Sequence, residues 1–238
     1  MLRAALLAAV LPGIAGAACR DTTFEDLPYT VCDIAPGADL RLFLNGPDGN
    51  LGTFAAINEQ LRATDQALSF AMNAGMYHAD RAPVGLYIEN GVEYAPIITS
   101  DGPGNFGLLP NGVFCIGDAF AVVEARAFAA SPPACRHATQ SGPMLVIDGA
   151  LHPRFLPDSD SYNIRNGVGV REDGIAVFAI SGARINFHSF ARLFRDELAT
   201  PNALFLDGSI SRLYAPGLDR SDQGFPMGPI VGLVSGAN

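Results

Sequence analysis

The chain of 238 residues contains no lysine and no tryptophan, only four histidines, and few charges, 16% of the whole. Without lysine there can be no Schiff-base nucleophile and no phosphate loop of the kind that ends in Gly-Lys-Ser/Thr. No apolar run approaches the roughly 18 residues of a transmembrane helix, so no membrane span is expected. The histidines form no metal set, the four cysteines have no metal-ligand spacing, and no dinucleotide fingerprint is present, so neither a metal nor a cofactor is expected. A Gly-x-Ser-x-Gly elbow is also missing, which removes the usual context for a nucleophilic serine. The formal net charge of −9 argues against nucleic acid or an anionic membrane as a partner.

What is present points to a strand-rich enzyme-sized domain. Twenty-six glycines and 17 prolines supply many turns, and 49% hydrophobic residues are ample for a packed core. The fold class expected is α+β, a single domain of twisted mixed or antiparallel sheets with a few packed helices. All 15 basic residues are arginine, whose planar fork suits one phosphate or carboxylate gripped by two parallel hydrogen bonds. Residues 1–17 read as an export signal, with Arg3, an apolar stretch over 4–11 and small residues ending at Ala17. Cleavage there would leave 18–238 as the mature domain, periplasmic or secreted. A lipid anchor on Cys19 is the less favoured alternative, because Gly16 stands where a lipoprotein signal has a larger aliphatic residue. In an oxidising compartment four cysteines imply two disulfides with three possible pairings. Cys19 with Cys32 and Cys115 with Cys135 are favoured, since each pair brackets a short loop.

Alternating residues over 29–34 and 40–44 predict an opening hairpin or meander. The period then lengthens over 53–67, a helix capped by Thr53 with Phe54, Ile57 and Leu61 on one face. Asn90-Gly91 between alternating segments is a hairpin turn, and further strands follow at 113–116 and 120–125. The segment 138–143 is polar and precedes a strand at 144–147. A second helix, capped by Asn186, runs to residue 198 with Phe187, Phe190, Ala191 and Phe194 inward. A last strand lies at 230–234. The oxygen-rich stretch 158–163 lacks the glycine and distal glutamate of a calcium loop and reads as solvated.

Four places share one design, a short apolar strand beside a glycine-bearing polar cluster. The first joins the strand 68–72 to Asn73, Gly75 and Tyr77. The second is Gln140-Ser141-Gly142-Pro143. The third is Arg165-Asn166-Gly167, followed later by Ser181 and Arg184 at the end of strand 175–180. The fourth, and the most pointed, is the run 203–206 that stops at Asp207-Gly208-Ser209-Ile210-Ser211. One carboxylate, one or two arginines and many neutral hydrogen-bonding groups suit a carbohydrate or sugar-phosphate ligand.

At these residues the chain resembles the phosphodiester glycosidase family, over about 70–234. The resemblance is carried by Asn73-Ala74-Gly75-Met76-Tyr77, Gln140-Ser141-Gly142-Pro143, Arg165-Asn166-Gly167-Val168-Gly169 and Leu206-Asp207-Gly208-Ser209-Ile210-Ser211, in the family's order. Ala74 and Ser209 each stand where the family motif has glycine, which places the chain in a bacterial branch. The resemblance implies hydrolysis of a sugar 1-phosphodiester of an envelope or extracellular glycan. Asp207, Asn73 and Arg165 would then be catalytic; Tyr77, Gln140, Ser141, Asn166, Ser181, Arg184, Gly208, Ser209 and Ser211 would bind substrate. Asp80, Asp101, Asp158 and Asp160 are open as a second carboxylate. The alternative is a non-catalytic periplasmic protein that binds polysaccharide or a partner through the same cleft.

Overall fold

The computed structural model describes residues 17–207 and 210–237. The expected export signal, and the calls on Gly208 and Ser209, therefore lie outside the described residues, apart from Ala17. The domain is α+β. A seven-stranded sheet carries, in spatial order, Ala18–Phe24, Leu27–Ile34, Ala176–Ser181, Asn166–Val170, Asn202–Phe205, Met144–Ile147 and Ala150–Leu151. One five-stranded sheet orders Phe120–Glu124, Gly112–Ile116, His137–Ser141, Tyr87–Glu89 and Val92–Ala95; the other orders Arg220–Ser221, Leu213–Ala215, Gln66–Asn73, Ile230–Gly236 and Leu40–Phe43. Every described pairing within these three sheets is antiparallel.

Period-two alternation explains how three sheets share one core. Cys32, Ile34, Phe178, Val168 and Leu204 from the first sheet meet Phe114 and Ile116 from the second and Phe70, Met72, Val231 and Leu233 from the third. Their strand neighbours face the other way. Tyr29, Val31, Val177, Ala179, Ala203 and Phe205 pack under the helical segment with Phe190 and Phe194. Phe54, Ile57 and Leu61 cover the outer side of Leu68, Ala71 and Ile230. Phe128, from a short helix at Ala125–Ala130, lies with Val113 and Cys115.

Several expected elements form as the sequence implies. Thr53 caps the helix Phe54–Arg62, its hydroxyl accepting from Ala56 N–H at 3.2 Å, although the helix stops earlier than 67. The strand Gln66–Asn73 takes the remainder. Asn90 and Gly91 turn the hairpin with φ of 52° and 78°, the left-handed pair such a tight turn demands. Asn186 caps the helix Phe187–Arg192 through a 2.9 Å bond from Ser189 N–H, and a π-helical turn, Leu193–Glu197, continues it. Cys19 is bonded to Cys32 and Cys115 to Cys135. Among the described residues no helix is long and apolar enough to cross a membrane.

Two local readings are corrected. The segments 29–34 and 40–44 do not pair: Leu27–Ile34 joins Ala18–Phe24 and Ala176–Ser181, whereas Leu40–Phe43 joins Ile230–Gly236. Pro36-Gly37 turns the chain from one sheet into another, which adjacency in sequence cannot reveal. Nor is 138–143 merely a polar lead-in, because His137–Ser141 is a strand buried at every residue. Its polar side chains are tolerated there because they satisfy backbone groups of neighbouring segments.

Candidate functional site

The site is assembled where strand ends from two sheets meet. Asn73 closes the strand Gln66–Asn73, Asn166 opens Asn166–Val170, and Asp207 lies two residues beyond Asn202–Phe205. Asn73 and Asn166 are fully buried, and Asp207 keeps 7% of its surface exposed. Asn166 Nδ2 faces Asn73 Oδ1 at 3.0 Å, the Asp207 carbonyl at 2.9 Å and Ser211 Oγ at 2.8 Å. Asn73 Oδ1 also accepts from Arg212 N–H at 3.0 Å. Both of its neighbours are donors, so the amide has one orientation, and Asn73 Nδ2 is left buried without a protein partner. The Ser211 hydroxyl, in turn, reaches the carbonyls of Ile164 at 3.0 Å and Asp207 at 3.1 Å.

Tyr77 connects this knot to charge. Burial, and then the Asp207 carboxylate, push its phenol above the ordinary value, while Arg81 and Arg212 pull the other way. The Arg81 guanidinium lies 5.4 Å from the ring centroid. Gly228 permits the ring's position, since a Cβ there would fall 2.4 Å from Tyr77 Cγ. The Tyr77 hydroxyl is buried and makes no hydrogen bond of ordinary geometry, and the Gly228 backbone N–H adds only a small influence that lowers its pKa. The charges of Asp207 and Arg212 therefore both reach this phenol.

A cleft of about 430 Å³ opens next to this knot, lined by Asn163, Ile164, Arg184, Ile210, Ser211, Arg212 and Phe225. Arg184 is exposed and donates to the Tyr162 carbonyl at 2.7 Å, which holds it at the rim. Arg212 donates to the Phe225 carbonyl and lies flat against Gly224. Phe225 is 79% exposed. Arg212, Asn163 and Phe225 were not singled out by sequence. The available signal for Arg212 was its place directly after Ser211, in the polar run that follows the strand carrying Asp207.

Other expected site residues hydrogen-bond within the scaffold, although Arg165 Nη1, like Asn73 Nδ2, is buried without a partner. Arg165 is fully buried, its guanidinium carbon 3.6 Å from the centre of the Phe187 ring. It donates to Ile185 O at 2.8 Å and Ser161 O at 2.6 Å, and desolvation lowers its pKa to about 10. With Asn186, which donates to the carbonyls of Pro157 and Ser159 at 3.0 and 3.2 Å, it holds the 157–163 loop that carries Tyr162 and Asn163 to the cleft. Ser181 Oγ accepts from Arg165 N–H at 2.9 Å. Ser141 Oγ donates to the Leu206 carbonyl at 2.5 Å, just ahead of Asp207. The Gln140 amide is occupied by Leu86 N–H at 3.0 Å, Ile98 N–H at 2.9 Å and the Ile98 carbonyl at 2.5 Å. Gly75 brings its backbone against Gln140 rather than toward the cleft: an added Cβ would stand 2.3 Å from the Gln140 carbonyl oxygen.

Asp80, Asp101, Asp158 and Asp160 are all exposed, and Asp207 is the carboxylate whose charge reaches Tyr77. Among the described residues no group of three His, Cys, Asp or Glu side chains is placed to hold a metal ion.

Comparison with known proteins finds relatives in sequence and in fold. The chain is 36% identical over 221 residues to the uncharacterized protein YigE of Escherichia coli (strain K12), covering 91% of this chain and 86% of that one. Its fold is similar to the catalytic domain of zebrafish N-acetylglucosamine-1-phosphodiester alpha-N-acetylglucosaminidase, solved in a form auto-inhibited by its pro-peptide. The TM-score is 0.63 at 13% identity, over 92% of this chain and 82% of that one. A hypothetical protein from Synechocystis is similar with a TM-score of 0.60 at 14% identity, over 91% and 61% of the two chains. The family model for phosphodiester glycosidases matches residues 66–225, a span that holds Asn73, Tyr77, Asn166, Asp207 and Arg212, and the chain belongs to that family.

Proposed function

We propose that the protein is an exported hydrolase that cleaves a sugar 1-phosphodiester of an envelope or extracellular glycan at the anomeric carbon, releasing free sugar and a phosphomonoester. The observation that carries this reading is the hydrogen-bonded knot of Asn73, Asn166 and Ser211 that fixes Asp207 next to the cleft lined by Ser211 and Arg212, with Asn73 Nδ2 left without a partner. A phosphomonoester is stable as an anion when it departs, so the reaction needs no general acid. That fits a site with one carboxylate at its centre.

In this reading the reacting sugar occupies the 430 Å³ cleft, with its hydroxyls toward Ser211, Asn163 and Arg184 and one face against Phe225. Asn73 Nδ2 donates to a substrate oxygen. Arg212, which lines the cleft, neutralises the phosphate, while the Arg165 guanidinium packs on Phe187. Asp207 accepts a proton from water as the water oxygen bonds to the anomeric carbon, the bond from that carbon to the phosphate oxygen breaks, and the phosphomonoester leaves with the electron pair. Asp207 also stabilises the positive charge that develops on the sugar ring. Direct attack by water predicts inversion at the anomeric centre. The two disulfides suit an oxidising compartment, periplasmic or secreted.

The test is incubation of residues 18–238 with a panel of sugar 1-phosphodiesters, alongside Asp207→Asn, with sugar and phosphomonoester followed by mass spectrometry. Turnover lost in the variant supports the reading. Turnover that survives it removes Asp207 from the chemistry, and sugar phosphates bound without turnover favour a non-catalytic binding protein.

A further inference from the structure

Arg212 meets the site through its backbone as well as its side chain. Its N–H donates to Asn73 Oδ1 at 3.0 Å, and that bond, with the one from Asn166, turns the Asn73 amide so that Nδ2 has no protein partner. The next residue, Leu213, is fully buried and is held twice by a single residue. Asp222 Oδ2 accepts from Leu213 N–H at 2.9 Å, and Asp222 N–H donates to the Leu213 carbonyl at 3.0 Å.

Asp222 is itself fixed. Arg220 grips both of its carboxylate oxygens, Nε donating to Oδ1 at 3.0 Å and Nη2 to Oδ2 at 2.9 Å, and the remaining nitrogen, Nη1, donates to Thr30 Oγ1 at 2.9 Å. The Thr30 hydroxyl donates in turn to Asp21 Oδ1 at 2.6 Å. A chain of bonds therefore runs from the strands Ala18–Phe24 and Leu27–Ile34 of the seven-stranded sheet to the peptide that follows Arg212. Resting on the reading above, we infer that Asp222 is a positioning residue for that reaction: held by Arg220, it sets the backbone of Arg212, and through it both the guanidinium in the cleft and the orientation of the Asn73 amide.

The sheet alone does not place Arg212. The strand Leu213–Ala215 pairs with Gln66–Asn73 at Leu213 opposite Met72 and at Tyr214 opposite Ala71, and Arg212 lies just outside that ladder. A hydrogen bond weakens steeply once its angle falls below about 120°, so the N–H that meets Asn73 has to be aimed from a fixed backbone. A carboxylate gripped by an arginine through two parallel bonds is a rigid anchor for that purpose. The same anchor begins a strap across the site. Beyond Asp222 the chain gives the Phe225 carbonyl to Arg212 Nη1, sets Gly228 against the Tyr77 ring, and then offers the Pro229 carbonyl to Ala74 N–H at 2.8 Å. Asp222 thus holds one end of a segment that touches Arg212, Tyr77 and the residue after Asn73.

Two measurements test this role, one of them without catalysis, on Asp222→Ala and on Asp222→Asn, which keeps an oxygen for Leu213 N–H. In amide hydrogen exchange followed by NMR, the Arg212 and Leu213 N–H groups should exchange at least about tenfold faster in Asp222→Ala than in the wild type, while the amides of the strand Ala176–Ser181 keep their rates. Asp222→Asn should stay within about threefold of the wild type. Unchanged exchange at Arg212 in Asp222→Ala would overturn the inference, and so would a uniform rise at every amide, which would make Asp222 a matter of overall stability. In the second measurement, kcat per folded molecule on a sugar 1-phosphodiester should fall about tenfold in Asp222→Ala and recover to within about threefold in Asp222→Asn. Full kcat in Asp222→Ala, or a loss that Asp222→Asn fails to rescue, would overturn the positioning role while the phosphodiester reading stands. If the wild type cleaves no sugar 1-phosphodiester, that reading fails, and the exchange rates alone decide whether Asp222 sets Arg212.

Discussion

Asn166 donates its side-chain amide to Asn73 across the junction of two sheets, at 3.0 Å, and the same nitrogen reaches the carbonyl of Asp207. A single buried amide thus sets the distance between the residue with a free donor, Asn73, and the residue with the carboxylate. Replacing Asn166 with Ala strands several buried polar groups, each costing about 1–3 kcal/mol. We expect Asn166→Ala to lower the melting temperature by several degrees in calorimetry and to reduce turnover of a sugar 1-phosphodiester by at least about tenfold. An unchanged Tm would show that the knot contributes nothing to stability.

Asp207 and Tyr77 report on each other. Burial and the Asp207 charge both raise the phenol's pKa, so removing the charge must lower it. In Asp207→Asn, phenolate absorbance assigned by comparison with Asp207→Asn/Tyr77→Phe should titrate at lower pH than the same transition in the wild type. Turnover should fall by about 10²–10⁴-fold, the usual worth of a general base. An unshifted phenol would mean that the two groups do not interact in solution.

The stereochemical course separates the two possible carboxylate roles. Proton NMR at early times should show the anomer opposite to that of the substrate, as direct attack by water requires. Retention would reassign Asp207 as a nucleophile that forms a glycosyl-enzyme intermediate.

His137 makes stability depend on pH far from the site. Burial first, and then Arg136 and Arg41, lower its pKa from 6.5 to about 4, with Asp39 opposing them. Asn90 N–H and Arg136 Nε–H face its two ring nitrogens at 3.2 and 3.3 Å, and a neutral imidazole can accept only one of these bonds. Protonation leaves it no acceptor at all. Between pH 4 and 6.5 the unfolded chain binds the proton more readily, so stability is full above 6.5 and is lost as pH falls toward 4. Urea denaturation at several pH values should show this slope, and His137→Gln should flatten it. A wild-type slope no steeper than the variant's would refute the assignment.

The Cys115–Cys135 bridge closes a short excursion remote from Asp207, spanning 20 positions. Cys115→Ala/Cys135→Ala should lose about 2–4 kcal/mol of stability by denaturant titration. Turnover per folded molecule should be unchanged, and a proportionate loss of turnover would place the bridge closer to the chemistry than its position suggests.

The amino-acid sequence by itself determined whatever depends on near neighbours. Alternation of apolar residues set most strands, Thr53 and Asn186 set the helix starts, and Asn90-Gly91 set a turn, because caps and tight turns are local geometry. Loop lengths between cysteines pointed to both disulfides, and polar residues at strand ends marked Asn73, Asn166 and Asp207. Only the tertiary structure decided what each polar side chain is used for. Arg165 and Arg212 look alike in sequence, each beside a strand and an amide or hydroxyl residue, yet one lies under Phe187 in the core and the other lines the cleft beside Phe225. Gln140, Ser141 and Ser181 were legible as polar residues near strands, but their hydrogen bonds go to backbone groups 16 to 65 positions away. The split of 29–34 and 40–44 between two sheets has the same origin. A strand's pattern encodes which faces are buried and leaves open which distant segment covers them, and that choice decides whether a donor is used up by the fold or left free for a ligand.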